Sequence, residues 1–222
     1  MAEREIPDLQ YANGTRKKIL EAATELFALK GFNAVSMRDI AKAVGIKMGS
    51  IYYYYEGKEA LLHAILTAFE SGYRHYFDWL STVNEQSNSL DAVMDNFFNT
   101  EFLEMRDPLS CFGMSLILKE QHHYEAVRKY AFELFFEFSI KRLQEDLDKL
   151  AAKKMIPPSD TKTIAGLLMS CVMVSNDMLL HEYLGVKPPF SRVQFLESLK
   201  SLITSILKQG ICCPAKQPSV TS

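Results

Sequence analysis

Apolar residues recur at helical spacing along almost the whole chain, and no stretch alternates with the two-residue period of a strand. The first run predicts a helix over 13–30. Ile19, Ala22, Ala23, Leu26 and Phe27 follow helical spacing there, and Gly31 ends it. Ser36 reads as the cap of a second, short helix, because Asp39 follows three residues on in a capping-box arrangement. Gly45 closes that helix, a third covers about 47–54, and a fourth runs from Lys58 towards Leu80. After a polar stretch over 84–89, Ser89 caps a helix to about Met105, and Pro108 opens another to about Gln121. One long helix is predicted over 124–153, with Phe132, Phe135, Phe136, Ile140, Leu143 and Leu147 as its apolar stripe. Pro157 and Pro158 break the chain, two more helices follow over 159–184 and 191–208, and the tail reads as flexible.

The fold class is therefore all-α: an N-terminal three-helix unit followed by a larger helical body. With 222 residues, 48% of them apolar, the chain is long enough for one or two domains with a sizeable core. Net charge is only −2, which argues against bulk electrostatic binding of nucleic acid. The charge is uneven, however. Residues 14–58 hold eight Lys/Arg against four Asp/Glu, and the rest hold 17 against 23. A mildly basic start on an acidic body suits polyanion binding joined to another task.

Cys111, Cys171, Cys212 and Cys213 have neither zinc nor redox spacing, and a chain of this size needs no disulfide framework. A reducing cytoplasm is the expected location. No targeting signal is visible, and no run approaches the ~20 apolar residues of a membrane span. His122-His123 has no further ligand at recognisable spacing, so neither metal nor cofactor is expected. His122, His123, His181 and Glu182 form no recognisable acid–base set, and no enzyme is expected.

The segment from Ser36 to Tyr55 has the mechanics of a helix-turn-helix. Ala41 is small where two helices cross, Gly45 supplies a positive-φ turn, and Ile40, Val44, Ile46 and Ile51 lock the pair at one angle. The second helix is then free to enter a major groove, which is wide enough to admit it.

These residues resemble the TetR family of bacterial regulators. The resemblance rests on Ile19-Leu20-Glu21-Ala22-Ala23, Leu26-Phe27, Lys30-Gly31-Phe32, Ser36-Met37-Arg38-Asp39-Ile40-Ala41, the run from Gly45 to Tyr55, then Lys58-Glu59 and Leu61. It implies a DNA-binding domain over 1–57, a regulatory and dimerisation body over 58–209 and a flexible tail over 210–222. It also implies DNA contacts from Ser36, Arg38, Lys47, Met48, Gly49, Ser50, Tyr53, Tyr54 and Lys58. In that scheme Ser36 offers a hydroxyl or amide to phosphate, Gly49 permits close approach to a base, and Lys58 clamps the backbone. Tyr52 and Tyr55 are expected to pack, since aromatics commonly fill small cores.

The resemblance further implies a homodimer on a palindromic double-stranded operator, a repressor released by a small, largely apolar or aromatic effector, and no membrane partner. The last two helices would pair across the dimer through Leu168, Cys171, Phe195, Leu199, Leu202 and Ile206. The effector would lie among the middle helices, near Phe98, Phe102, Met114, Tyr130, Phe135, Met169, Met173 and Asp177. Asn176 and Asp177 interrupt an apolar helix, and either orient a ligand's polar group or pair across the dimer. An activator, or a nucleoid-type regulator with an occluded pocket, is the competing reading.

Overall fold

The computed structural model describes residues 14–98 and 108–210, and every regular element among them is helical. In order these are α1 (Thr15–Lys30), α2 (Met37–Val44), α3 (Met48–Tyr54), α4 (Lys58–Glu85), α5 (Leu90–Phe97) and α6 (Pro108–Glu120). There follow α7 (Glu125–Ala131), a π-helical segment (Phe132–Phe138), α8 (Ser139–Ala152), α9 (Thr161–Tyr183) and α10 (Arg192–Gln209). The second half of the helix expected over 89–105, Phe102 among its residues, lies outside the described residues, as does the tail beyond Gly210.

Two apolar clusters organise the chain. The smaller joins Ile19, Leu20, Ala23 and Phe27 of α1 to Ile40 of α2 and Ile51 of α3. It also takes Leu61, Ile65 and Ala68 from α4, and Phe112 and Leu116 from α6. The N-terminal core thus extends past residue 57 into the helices of the body. The larger cluster gathers Phe69, Tyr73, Phe77 and Leu80 of α4 with residues of α5, α6, α8, α9 and α10. With 28 residues, α4 spans about 42 Å and contributes to both.

At the crossing of α4 and α6, Gly113 is buried, and a Cβ there would lie 2.6 Å from Phe69 Cδ2. The missing side chain is what lets the two helices approach this closely. Phe69 in turn packs against Tyr73 and Phe135, with ring centroids 5.5 and 6.1 Å away.

The long helix expected over 124–153 is not continuous α. Its π-helical segment carries more residues per turn, so a spacing of four stays on one face. Ala131, Phe135, Ser139 and Leu143 are accordingly all buried. Phe132 and Phe136, expected in the apolar stripe, face solvent and stack on each other at 5.8 Å. Ser139 holds the wide turn together, because its N–H and its hydroxyl both donate to Leu134 O, the hydroxyl at 2.7 Å.

The helix α9 is long and apolar enough by composition to cross a membrane, but half of its apolar window is buried against neighbouring helices. A buried core helix satisfies the same composition test.

Candidate nucleic-acid interface

The turn into α2 is built by Ser36 and Asp39. Asp39 N–H donates to Ser36 Oγ at 3.2 Å, and Asp39 Oδ2 accepts the Ser36 N–H at 2.9 Å. The same carboxylate oxygen accepts the Ser36 hydroxyl at 2.6 Å. This is the capping box expected from the sequence, and the hydroxyl and amide of Ser36 hold the Asp39 carboxyl below its ordinary range. The Ser36 hydroxyl proton is therefore engaged within the box rather than pointed at a phosphate. Gly45 then adopts φ 74°, and its N–H closes on Ala41 O and Lys42 O. That left-handed residue turns the chain from α2 into α3.

In α3 only Ile51 is fully buried, and Tyr55, four residues on, returns to the same face. Each residue between them is rotated by about 100° from the last. Tyr53 is 85% exposed, Tyr52 47%, and Met48 38%. Gly49 and Ser50 are exposed as well, and Tyr54 is half-buried with its ring against Tyr53 at 5.1 Å. The packing expected of Tyr55 is present: Arg16 lies over its ring at 5.1 Å, and burial pushes its hydroxyl pKa up. The packing expected of Tyr52 is not, because the helical rotation carries it outward. It lines an open groove with Asn33, Ser36, Arg38, Met48 and Lys58. Arg38 and Lys47 are exposed beside it.

Lys58, expected at phosphate, is engaged within the protein. Its ammonium donates to Phe32 O at 2.9 Å and Val35 O at 3.1 Å, and it sits 4.4 Å from the Phe32 ring centroid. It fastens the loop between α1 and α2 to the start of α4. With two of its three N–H groups spent on carbonyls, it positions the interface from the edge of the groove.

The same loop is held from the body. Glu120, buried at the end of α6, accepts the Phe32 N–H at 2.9 Å. Its neighbour Lys119 reaches Ala28 O at 3.3 Å, on the last turn of α1. Tyr124 donates to Asn33 Oδ1 at 2.6 Å and packs edge-on against Phe32. From α9, Tyr183 donates to Glu25 Oε1 of α1 at 2.7 Å and lies edge-on to Phe112. None of these four residues stood out in the sequence. Lys119-Glu120 at a helix end looks like an ordinary solvated pair, and partners 88 to 158 residues apart leave no local pattern.

In the body, Phe98, Met114, Phe135 and Met169 are buried in the larger cluster, while Tyr130 and Met173 are half-buried against it. Tyr130 donates to Leu66 O at 2.8 Å. Asp177, expected at the effector site, faces outward and pairs with His181. The adjacent Asn176 is the inward one, at 1% exposure. Among the dimer residues expected, Leu168 and Cys171 are buried within the subunit's own core. One position earlier, Leu167 is 42% exposed, and Val174 is 45% exposed. On α10, Leu202 is 56% exposed, and Phe195, Leu199 and Ile206 are half-buried.

Residues 19–65 match the family model described as bacterial regulatory proteins, tetR family, which spans the smaller cluster from α1 into α4. The chain belongs to the TetR family. This TetR-family chain is 25% identical over 214 residues to a Bacillus subtilis (strain 168) protein named probable HTH-type transcriptional regulator YttP, covering 88% of this chain and 95% of that protein. It is also 25% identical over 118 residues to IcaR of Staphylococcus epidermidis, named as a negative transcriptional regulator of the biofilm operon icaADBC. That match spans 50% of this chain and 62% of IcaR. The TetR-family fold is shared with the regulator FadR from Bacillus subtilis, solved with stearoyl-CoA. The TM-score is 0.59 at 16% identity, covering 89% of this chain and 100% of that one. The chain is a transcriptional regulator of this family.

Proposed function

We propose that this regulator is a cytoplasmic homodimeric repressor that grips a palindromic operator through α2 and α3 and releases it when a small, largely apolar effector enters the body. The observation that carries the reading is the outward face of α3. Tyr52 and Tyr53 stand exposed on a helix whose opposite face is locked by Ile51 and Tyr55. Such aromatics, flanked by Met48, Gly49 and Ser50, suit contact with base edges and thymine methyls. Arg38 and Lys47 are the phosphate or base readers beside them, and Tyr54 reaches phosphate from the rim. At the start of α2 the phosphate donors are the backbone N–H groups, with the Ser36 hydroxyl kept in its box. We assign residues 1–57 to DNA binding, with a core completed by α4 and α6, and residues 58–209 to regulation and dimerisation.

Dimerisation follows from the local charge. A surplus of four positive charges over 14–58 is too small for one module to hold DNA by electrostatics alone. Two modules reading half-sites about 34–36 Å apart supply the rest. The exposed stripe of Leu167, Val174 and Leu202, continued by Leu199 and Ile206, is the surface we assign to the partner copy. The body's methionines and phenylalanines suit an adaptable apolar effector site, and stearoyl-CoA in the FadR structure is an apolar-tailed precedent.

A mobility-shift assay on the DNA adjoining the chain's own gene tests the reading. Tyr53→Ala and Met48→Ala should each weaken the shift strongly while circular dichroism stays unchanged. Binding equal to wild type in both variants would remove α3 from the interface.

A further inference from the structure

The middle of α9 holds a polar group that neither packing nor dimerisation accounts for. Asn176 is 1% exposed, and its Nδ2 donates to Ser115 Oγ on α6 at 3.1 Å. The Ser115 hydroxyl in turn donates to Cys111 O at 3.1 Å. Its one proton is spent, so Ser115 can only accept from Asn176. This chain fixes which way the amide points. It leaves Asn176 Oδ1 buried with no hydrogen-bond partner among the described residues. A buried acceptor without a donor costs stability, and a leucine at this position of an otherwise apolar helix face carries no such cost.

The position of this acceptor is specific. Met173 and Met169 precede Asn176 by three and seven residues, on the same face of α9, and both pack with the larger cluster. Leu180, four residues on, packs with the smaller cluster beside the DNA-binding helices, as do Phe112 and Leu116 of α6. Asn176 therefore sits where the larger apolar cluster meets the smaller one. Across from it, α6 carries both Ser115 and Glu120, the residue that holds the Phe32 N–H.

We propose that Asn176 Oδ1 is the polar anchor of the effector site, and that the effector is a neutral molecule with an apolar body and a hydroxyl or amide N–H donor. The inference rests on the effector reading above and sharpens it. A head group that only accepts hydrogen bonds meets an acceptor here and is disfavoured. A donor completes the amide and bears directly on α6, the helix that reaches the loop before α2.

The test compares 1-decanol and decanamide, which donate, with methyl decanoate, which only accepts; calorimetric titration and thermal shift are run on the full chain. The two donors should bind about tenfold more tightly than the ester. Asn176→Leu should erase that preference. Ser115→Ala, which frees the amide to rotate and present its Nδ2, should lower it, so one variant suffices if the other does not fold. Equal binding of donor and ester by the wild type, or a preference that survives in both variants, overturns the anchor while leaving the apolar site standing. If none of the three probes binds, the effector site itself fails, and the anchor with it.

Discussion

Glu120 Oε1 accepts the backbone N–H of Phe32 at 2.9 Å although 88 residues separate them. The carboxylate is buried, and it lies at the C-terminal end of α6, where the helix dipole disfavours negative charge. The Phe32 N–H is a partner it gains only through the tertiary fold. Glu120→Ala leaves that N–H buried and unpaired, so we expect a loss of about 1–3 kcal/mol in urea unfolding. Glu120→Gln keeps an acceptor and should lose less. Equal losses in the two variants would mean that the hydrogen bond is not what Glu120 contributes.

Lys58 and Lys47 should behave differently when salt is varied. Lys47 is exposed at the start of α3, and Lys58 is committed to Phe32 O and Val35 O. Replacing a lysine that neutralises a phosphate lowers the slope of log affinity against log salt by about 1. Lys47→Met should show that change. Lys58→Met should weaken binding and lower thermal stability with the slope unaltered. A slope change in Lys58→Met would return it to the phosphate backbone.

The faces of α9 and α10 separate folding from assembly. Leu202→Glu places a charge on the exposed stripe and should yield a folded monomer by light scattering. Leu168→Ala removes apolar volume from the subunit core, at an expected cost of about 2–5 kcal/mol, with the dimer retained. The opposite pattern, dissociation in Leu168→Ala and not in Leu202→Glu, would place the partner on another surface.

Asp39 gives the α2 cap a pH dependence. Its folded carboxyl is held below the unfolded value near 3.8, first by the Ser36 hydroxyl and then by the Ser36 amide. A depressed folded value means that the ionised form is favoured by folding. The stabilisation is full above the unfolded value and is lost as pH falls through the folded one. In acid titrations Asp39→Asn should be less stable than wild type near neutrality and converge with it in acid, so that the stability profile below about pH 4 is flatter. A profile as steep as wild type would assign the acid sensitivity to other carboxylates.

Local chemistry was the legible part of this chain. The Ser36–Asp39 box, the turn at Gly45 and the order of the helices each depend on residues a few positions apart. What escaped was phase and long-range pairing. Leu167 and Leu168 are both apolar, and only the packing of α9 on its neighbours decides which one is exposed. Phe132 and Phe136 fit an α-helical stripe until the π-helical turn shifts the register beneath them. Tyr52 sits in a run of four tyrosines, and composition does not reveal that Ile51 and Tyr55 share the buried face without it. Asp177 and Asn176 are equally polar in sequence, and the fold turns one in and the other out.

The crossing of α4 and α6 bears on how the sequence can drift. With 2.6 Å between a Cβ at position 113 and the Phe69 ring, any side chain at 113 requires a smaller residue at 69. Phe69 also supports Tyr73 and Phe135, so shrinking it opens space that those rings must fill. Among descendants of this protein, positions 69 and 113 should therefore change together or not at all, and a lineage that exchanges the pair should also repack its aromatic core.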